Sequence, residues 1–122
     1  MSIYGHFTQQ YYGNKIVFPK ESFLISGISF YKDNCVNITY DTELVMKYDP
    51  TNIHDPSAIS IVHNDKIIGY VPIISKIYCK SITESLKIIN IKKTYETYGI
   101  RVIPKCFYVY DISLQSKTLF SD

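Results

Sequence analysis

The chain has 122 residues, with 13 Lys and Arg against 11 Asp and Glu, a formal net charge of +2, 46% hydrophobic and 15% aromatic residues, the profile of one soluble globular domain. That length excludes two full domains and suffices to bury a core without disulfides or a structural metal. No apolar run approaches the roughly 20 residues that a bilayer crossing needs, and residues 1–14 are polar where a secretory leader is apolar, so an intracellular location, cytoplasm or nucleus, is expected, with no membrane contact.

Isoleucine dominates the apolar set, there are 12 Tyr and 6 Phe, and Ala58 is the single alanine. β-Branched and aromatic side chains suit a pleated, half-buried surface better than a helix, so an all-β or β-rich barrel is expected. In chain order, residues 23–31 (FLISGISFY) alternate as a strand does, with Gly27 as a candidate bulge. Residues 32–34 (KDN) signal a turn, 36–40 (VNITY) a short strand or extended loop, and 43–48 (ELVMKY) the next strand. Residues 49–56 (DPTNIHDP) hold two prolines and form an ordered loop. Residues 58–62 and 67–71 flank HNDK as a β-hairpin with a four-residue connection. Residues 72–81 (PIISKIYCKS) fit a short helix with Ile73, Ile74, Ile77 and Tyr78 on an apolar face. Residues 86–95 and 100–110 read as strands joined around Tyr98 and Gly99, with Pro104 as a break or edge position. The ends, 1–19 and 113–122, are ambiguous. Cys35, Cys79 and Cys106 are odd in number and form no C-x-x-C or Cys/His cluster, so buried free thiols are expected and no metal or cofactor.

The stretch 49–72, DPTNIHDPSAISIVHNDKIIGYVP, together with SGISFY at 26–31, resembles the signature of the HIRAN domain. Asp49, Pro50, Asn52, Asp55, Ala58, Ile59, Gly69, Tyr70 and Pro72 fall at the family's spacing. The resemblance implies a small OB-like β-barrel of about six strands with one or two short helices, its recognisable core spanning residues 22–112 of a single 1–122 domain. It also implies a non-catalytic module that binds single-stranded DNA at its free 3′-OH end, in DNA repair or replication, with any remodelling needing a helicase or nuclease in trans.

By that resemblance Asp55 matches the acidic residue that accepts a hydrogen bond from the terminal hydroxyl. An ionised carboxylate only accepts, so it would repel a 3′-phosphate; the alternative is that Asp55 caps its own loop. Phe30, Tyr31 and His54 stand where the family has stacking or pocket-lining aromatics, His54 replacing a tyrosine, while core packing is the alternative for Phe30. Asn52 would offer its amide to a phosphate or base, and Tyr70 lies where the family has a ring near the bound strand; satisfying the loop and filling the barrel mouth are their alternatives. Ser29 stands in place of an arginine, which removes a bidentate clamp.

Residues 76–105 carry Lys76, Lys80, Lys87, Lys92, Lys93, Arg101 and Lys105 against Glu84 and Glu96. A basic half interleaved with tyrosines suits a phosphate-tracking groove, with Lys76, Lys80, Lys92 and Lys93 as candidates, or else a solvated lysine face. A protein-interaction module on the same barrel is the second class. An enzyme is the third, and it has weak footing: His54 and Asp55 are adjacent, and no phosphate-binding glycine loop or G-x-S-x-G motif is present.

Overall fold

The computed structural model describes residues 10–12, 15–79, 85–94 and 97–108. It is β-rich. Strands β1 (Gln10–Tyr12) and β2 (Lys15–Val17) form a two-stranded antiparallel sheet. The main sheet has six strands: β3 (Phe23–Leu24), β4 (Glu43–Tyr48), β5 (Ile59–His63), β6 (Lys66–Tyr70), β7 (Ser85–Lys93) and β8 (Tyr98–Pro104). Their order is β3-β8-β7-β4-β5-β6, all neighbours being antiparallel. The sheet curls into a half-barrel, the architecture of a small OB-like barrel. No helix among the described residues is long and apolar enough to cross a membrane.

Alternation drives the curl. Along β4, Leu44 and Met46 are buried while Glu43, Val45 and Lys47 face outward, the period of two that puts one face on the core. Those residues join Phe23, Ile25, Ile59, Ile61, Ile68, Leu86, Ile88, Ile100 and Val102 in one interior cluster. A register shift between Ile88 and Asn90 makes Ile89 the extra residue of a bulge. Ile89 thereby joins Ile103 and Tyr108 in a second cluster, against Phe18 and Phe107.

The first and last strands of the sheet meet at one point. Ser26 forms an isolated bridge with Tyr70, each backbone N–H donating to the other's carbonyl at 2.9 Å. At Gly69 a Cβ would lie 2.7 Å from the Ser26 carbonyl oxygen and closer still to the Ile25 side chain. The glycine is there because the returning chain occupies its side-chain space.

Several expectations are corrected. Residues 23–31 are not one strand: past Ser26, Gly27 takes φ 76° and Ile28–Cys35 forms a pair of short 3₁₀ turns, η1, meeting at Tyr31. The left-handed glycine lifts the chain off the ladder, and Phe30 is 86% exposed instead of in the core. Of the two readings of residues 36–40, the structure has the loop and not the strand. The hairpin connection is two residues, because Asn64 and Asp65 adopt φ 51° and 63°, as a primed turn requires. Residues 72–81 contain a 3₁₀ helix, η2 (Ile73–Tyr78), but its isoleucines point outward: Ile73, Ile74 and Ile77 are 77%, 82% and 68% exposed, while Ser75 and Cys79 are buried. Residues 105–108 are helical instead of extending the last strand, and Cys106 is exposed, not buried. The ambiguous segments 1–9 and 113–122, and the last two residues of the expected 72–81 helix, lie outside the described residues.

Gly69→Ala should lower the unfolding free energy by roughly 1–3 kcal/mol through overpacking, read as a lower urea midpoint at constant slope. Gly99→Ala is the control: its Cβ would meet Leu24 Cδ2 at an ordinary 3.7 Å, and a loss under about 1 kcal/mol is expected.

Candidate nucleic-acid interface

The loop between β4 and β5 is built by its own polar side chains. The Asp49 N–H donates to the Ala58 carbonyl at 2.9 Å and the Ala58 N–H to the Asp55 carbonyl at 2.9 Å, closing the loop at both ends. Inside it, Asn52 Oδ1 accepts the N–H groups of His54 (2.9 Å) and Asp55 (3.0 Å), the Asx geometry expected of such a segment. Asp55 Oδ1 accepts the Ser57 N–H at 3.0 Å and the Ser57 hydroxyl at 2.6 Å. The capping role foreseen for Asp55 is thus present in the geometry, and its other carboxylate oxygen, Oδ2, is not used by the loop backbone.

That cleft, of about 520 Å³, lies between the loop, the barrel-closing bridge and η2; Ser26, Asn52, His54, Asp55, Tyr70 and Ile74 are among its lining residues. Four of the seven residues named for end and base contacts are therefore brought together. Tyr70 is fixed by its hydroxyl, which donates to Asp49 Oδ2 at 2.7 Å. That bond to a carboxylate, with burial and the nearby Tyr31, pushes the Tyr70 phenol above the usual tyrosine range. Asp49 is held below the usual carboxylate range by the hydroxyls of Thr51 and Tyr70. The Tyr31 ring packs on Tyr70 with centroids 6.4 Å apart and planes tilted by 56°. Tyr31 also lines a separate hollow of about 390 Å³ on η1 with Ser29, Phe30, Lys32, Asp33 and Asn34. Ser29 and Phe30 belong to this hollow and not to the cleft.

The lysines divide differently from the expectation. Lys76 Nζ reaches from η2 to Asp55 Oδ2 at 2.9 Å and also donates to the Ser57 carbonyl (3.1 Å) and hydroxyl (3.2 Å). Lys92 and Lys93 sit at the end of β7, outside the cleft lining, with Lys93 Nζ 5.8 Å from the Tyr98 ring centroid. Lys80 lies outside the described residues, as do Glu84, Tyr95 and Glu96. Lys87 and Lys105 both pair with Glu43 at 3.4 Å. Arg101 stacks its guanidinium over Phe18 at 4.6 Å and donates to the Ser22 hydroxyl. Lys87, Lys105 and Arg101 are thus each engaged by a neighbouring side chain.

Sequence alone did not point to Asp49 as the group that fixes Tyr70, nor to Ser57 and Lys76 as partners of Asp55. The Ser57 role has a local signal, since short-range Asp and Ser side chains organise proline-bounded loops, whereas Asp49 and Tyr70 are 21 residues apart and have none. The 21-residue separation between Asp55 and Lys76 has none. Among the described residues, no three His, Cys, Asp or Glu side chains are grouped as a metal site requires.

The Ser57 hydroxyl and the Lys76 ammonium hold the Asp55 carboxyl down at about 2. A carboxyl depressed by folding stabilises the fold above its unfolded value of about 3.9, and that contribution disappears as pH falls through about 2. An NMR titration of the Asp55 carboxyl carbon should therefore show a midpoint near the value of about 2, and Lys76→Met should move it upward; an unshifted wild-type midpoint would contradict the bonding described.

Comparisons with protein-family models, with curated proteins and with solved structures gave no match to this chain.

Proposed function

We propose that the chain is a non-catalytic module of the HIRAN type that binds single-stranded DNA and seats a free 3′ end in the cleft. The carrying observation is the convergence of Asn52, His54, Asp55 and Tyr70 on one cleft of about 520 Å³, a size suited to a small ligand or a terminal nucleotide. The chemistry fits each part of such a nucleotide. His54 and Tyr70 offer ring faces to a base, Asn52 keeps an amide Nδ2 with no partner among the described residues, and Asp55 Oδ2 can accept from a hydroxyl. Tyr31 extends the ring surface beyond Tyr70 towards the exposed Phe30. Lys76, in direct contact with Asp55, supplies a cation beside the cleft's carboxylate. The reading as a binder and not a catalyst is favoured by Asp55, whose carboxylate is engaged by Ser57 and Lys76 and not by its neighbour His54. Such a module would serve repair or replication beside a helicase or nuclease acting in trans.

A second reading, a protein-interaction module, is favoured by one observation. Ile53 is 88% exposed and, with the outward isoleucines of η2, presents apolar surface around the same cleft. Clustered exposed apolar side chains of this kind mark contact surfaces.

Fluorescence anisotropy with a short single strand tests the two. Binding that weakens with added salt is expected, and His54→Ala or Tyr31→Ala should each weaken it roughly 5- to 100-fold, the range of one lost base stack. Absence of binding at low salt would overturn the nucleic-acid reading in favour of the protein-interaction module.

A further inference from the structure

Counting donors and acceptors around Asp55 separates two kinds of strand end. Oδ1 is filled, accepting both the N–H and the hydroxyl of Ser57. Oδ2 accepts one bond, from Lys76 Nζ at 2.9 Å, and a carboxylate oxygen has room for a second. An ammonium has three N–H groups, and those of Lys76 have three oxygens in reach, Asp55 Oδ2, the Ser57 carbonyl and the Ser57 hydroxyl. The two bonds to Ser57 are the longer ones, at 3.1 and 3.2 Å. They can be exchanged for an incoming anion while the ion pair stays closed.

A lone carboxylate at the end of a cleft would reject a terminal phosphate by like-charge repulsion. Here the charge that would do so is matched by an ammonium in direct contact. The other nearby carboxylate, Asp49, already accepts from the Tyr70 and Thr51 hydroxyls.

We propose that Lys76, which meets the cleft through its contact with Asp55 and is not itself a lining residue, determines the specificity of the site and makes it accept a 3′-phosphate as readily as a 3′-hydroxyl, with Asp55 Oδ2 receiving the hydroxyl and Lys76 Nζ the phosphate. The inference rests on reading the cleft as a strand-end site. It also reverses what Asp55 by itself implies, namely exclusion of the phosphate.

The experiment uses a 5′-labelled oligothymidylate with a 3′-OH end, the same strand with a 3′-phosphate, and a circular form of equal length, titrated by anisotropy at one salt concentration. The wild type should bind the two linear strands within about threefold of each other and the circle at least about tenfold more weakly. Lys76→Gln should come to prefer the hydroxyl strand by about tenfold or more, because the carboxylate is then unpaired. Adding Asp55→Asn to Lys76→Gln should erase that preference, and Lys76→Arg should leave the wild-type tolerance in place. These two variants distinguish charge from a loosened cleft, and thermal melts confirm that each is folded. A wild type that rejects the phosphate strand tenfold, or a Lys76→Gln protein that binds both linear strands equally, overturns the inference while leaving end binding standing. Equal binding of the circle, or no binding at all, overturns the strand-end reading itself and the inference with it.

Discussion

Two backbone hydrogen bonds between Ser26 and Tyr70 join the first and last strands of the six-stranded sheet, and the rest of the molecule is arranged around them. They form because Gly69 presents no side chain where residues 25 and 26 pass. Once they form, Gly27 turns the chain away, and η1 lies along β6, with the Asn34 side chain donating to the Ile67 carbonyl at 2.8 Å. Tyr70 then carries two duties. Its backbone closes the barrel, and its side chain, through Asp49, fixes one end of the β4–β5 loop. The cleft is therefore an outcome of closure, because Ser26 and Tyr70 stand in its wall.

Much of the sheet was legible because its residues obey one local rule. Leu44 and Met46 against Glu43, Val45 and Lys47 alternate plainly along β4, as Ile100 and Val102 do on the last strand, while β5, buried almost throughout, and β6 are marked as a hairpin by the polar HNDK between two apolar runs. What was not legible depends on backbone conformation or on distant contacts. FLISGISFY alternates perfectly well, yet the left-handed Gly27 ends its strand, and no periodicity reports a φ value. HNDK contains no glycine, so nothing in its composition demanded the tight two-residue turn that Asn64 and Asp65 make. The isoleucines of η2 were assigned inward because apolar residues usually are, but that tendency permits exposed ones freely.

The cleft shows the same division. The polar turn around Asn52 and Asp55 could be anticipated, since it is written in neighbouring residues that bond to one another. Lys76 could be named only as one basic residue among several. What sets it apart is that η2 brings it across to the loop, a contact made by the fold. The converse holds for Lys87, Lys105 and Arg101, whose charge looked available in sequence and is engaged with Glu43, Phe18 and Ser22 in the structure. Net charge over a stretch of chain says little about a surface when strands send successive side chains to opposite faces.

The seam between residue 26 and β6 also has a thermodynamic consequence. It is held by a single bridge, whereas β7 and β8 share a ladder of seven paired positions. Partial openings of a protein follow its least-bonded lines, well below the free energy of global unfolding. In this barrel that line runs through the cleft wall, so parting the seam and widening the cleft are one motion. Any occupant that touches both Ser26 and the β4–β5 loop would act as a clasp across the weakest edge, and its binding energy would appear directly as resistance of the whole barrel to opening.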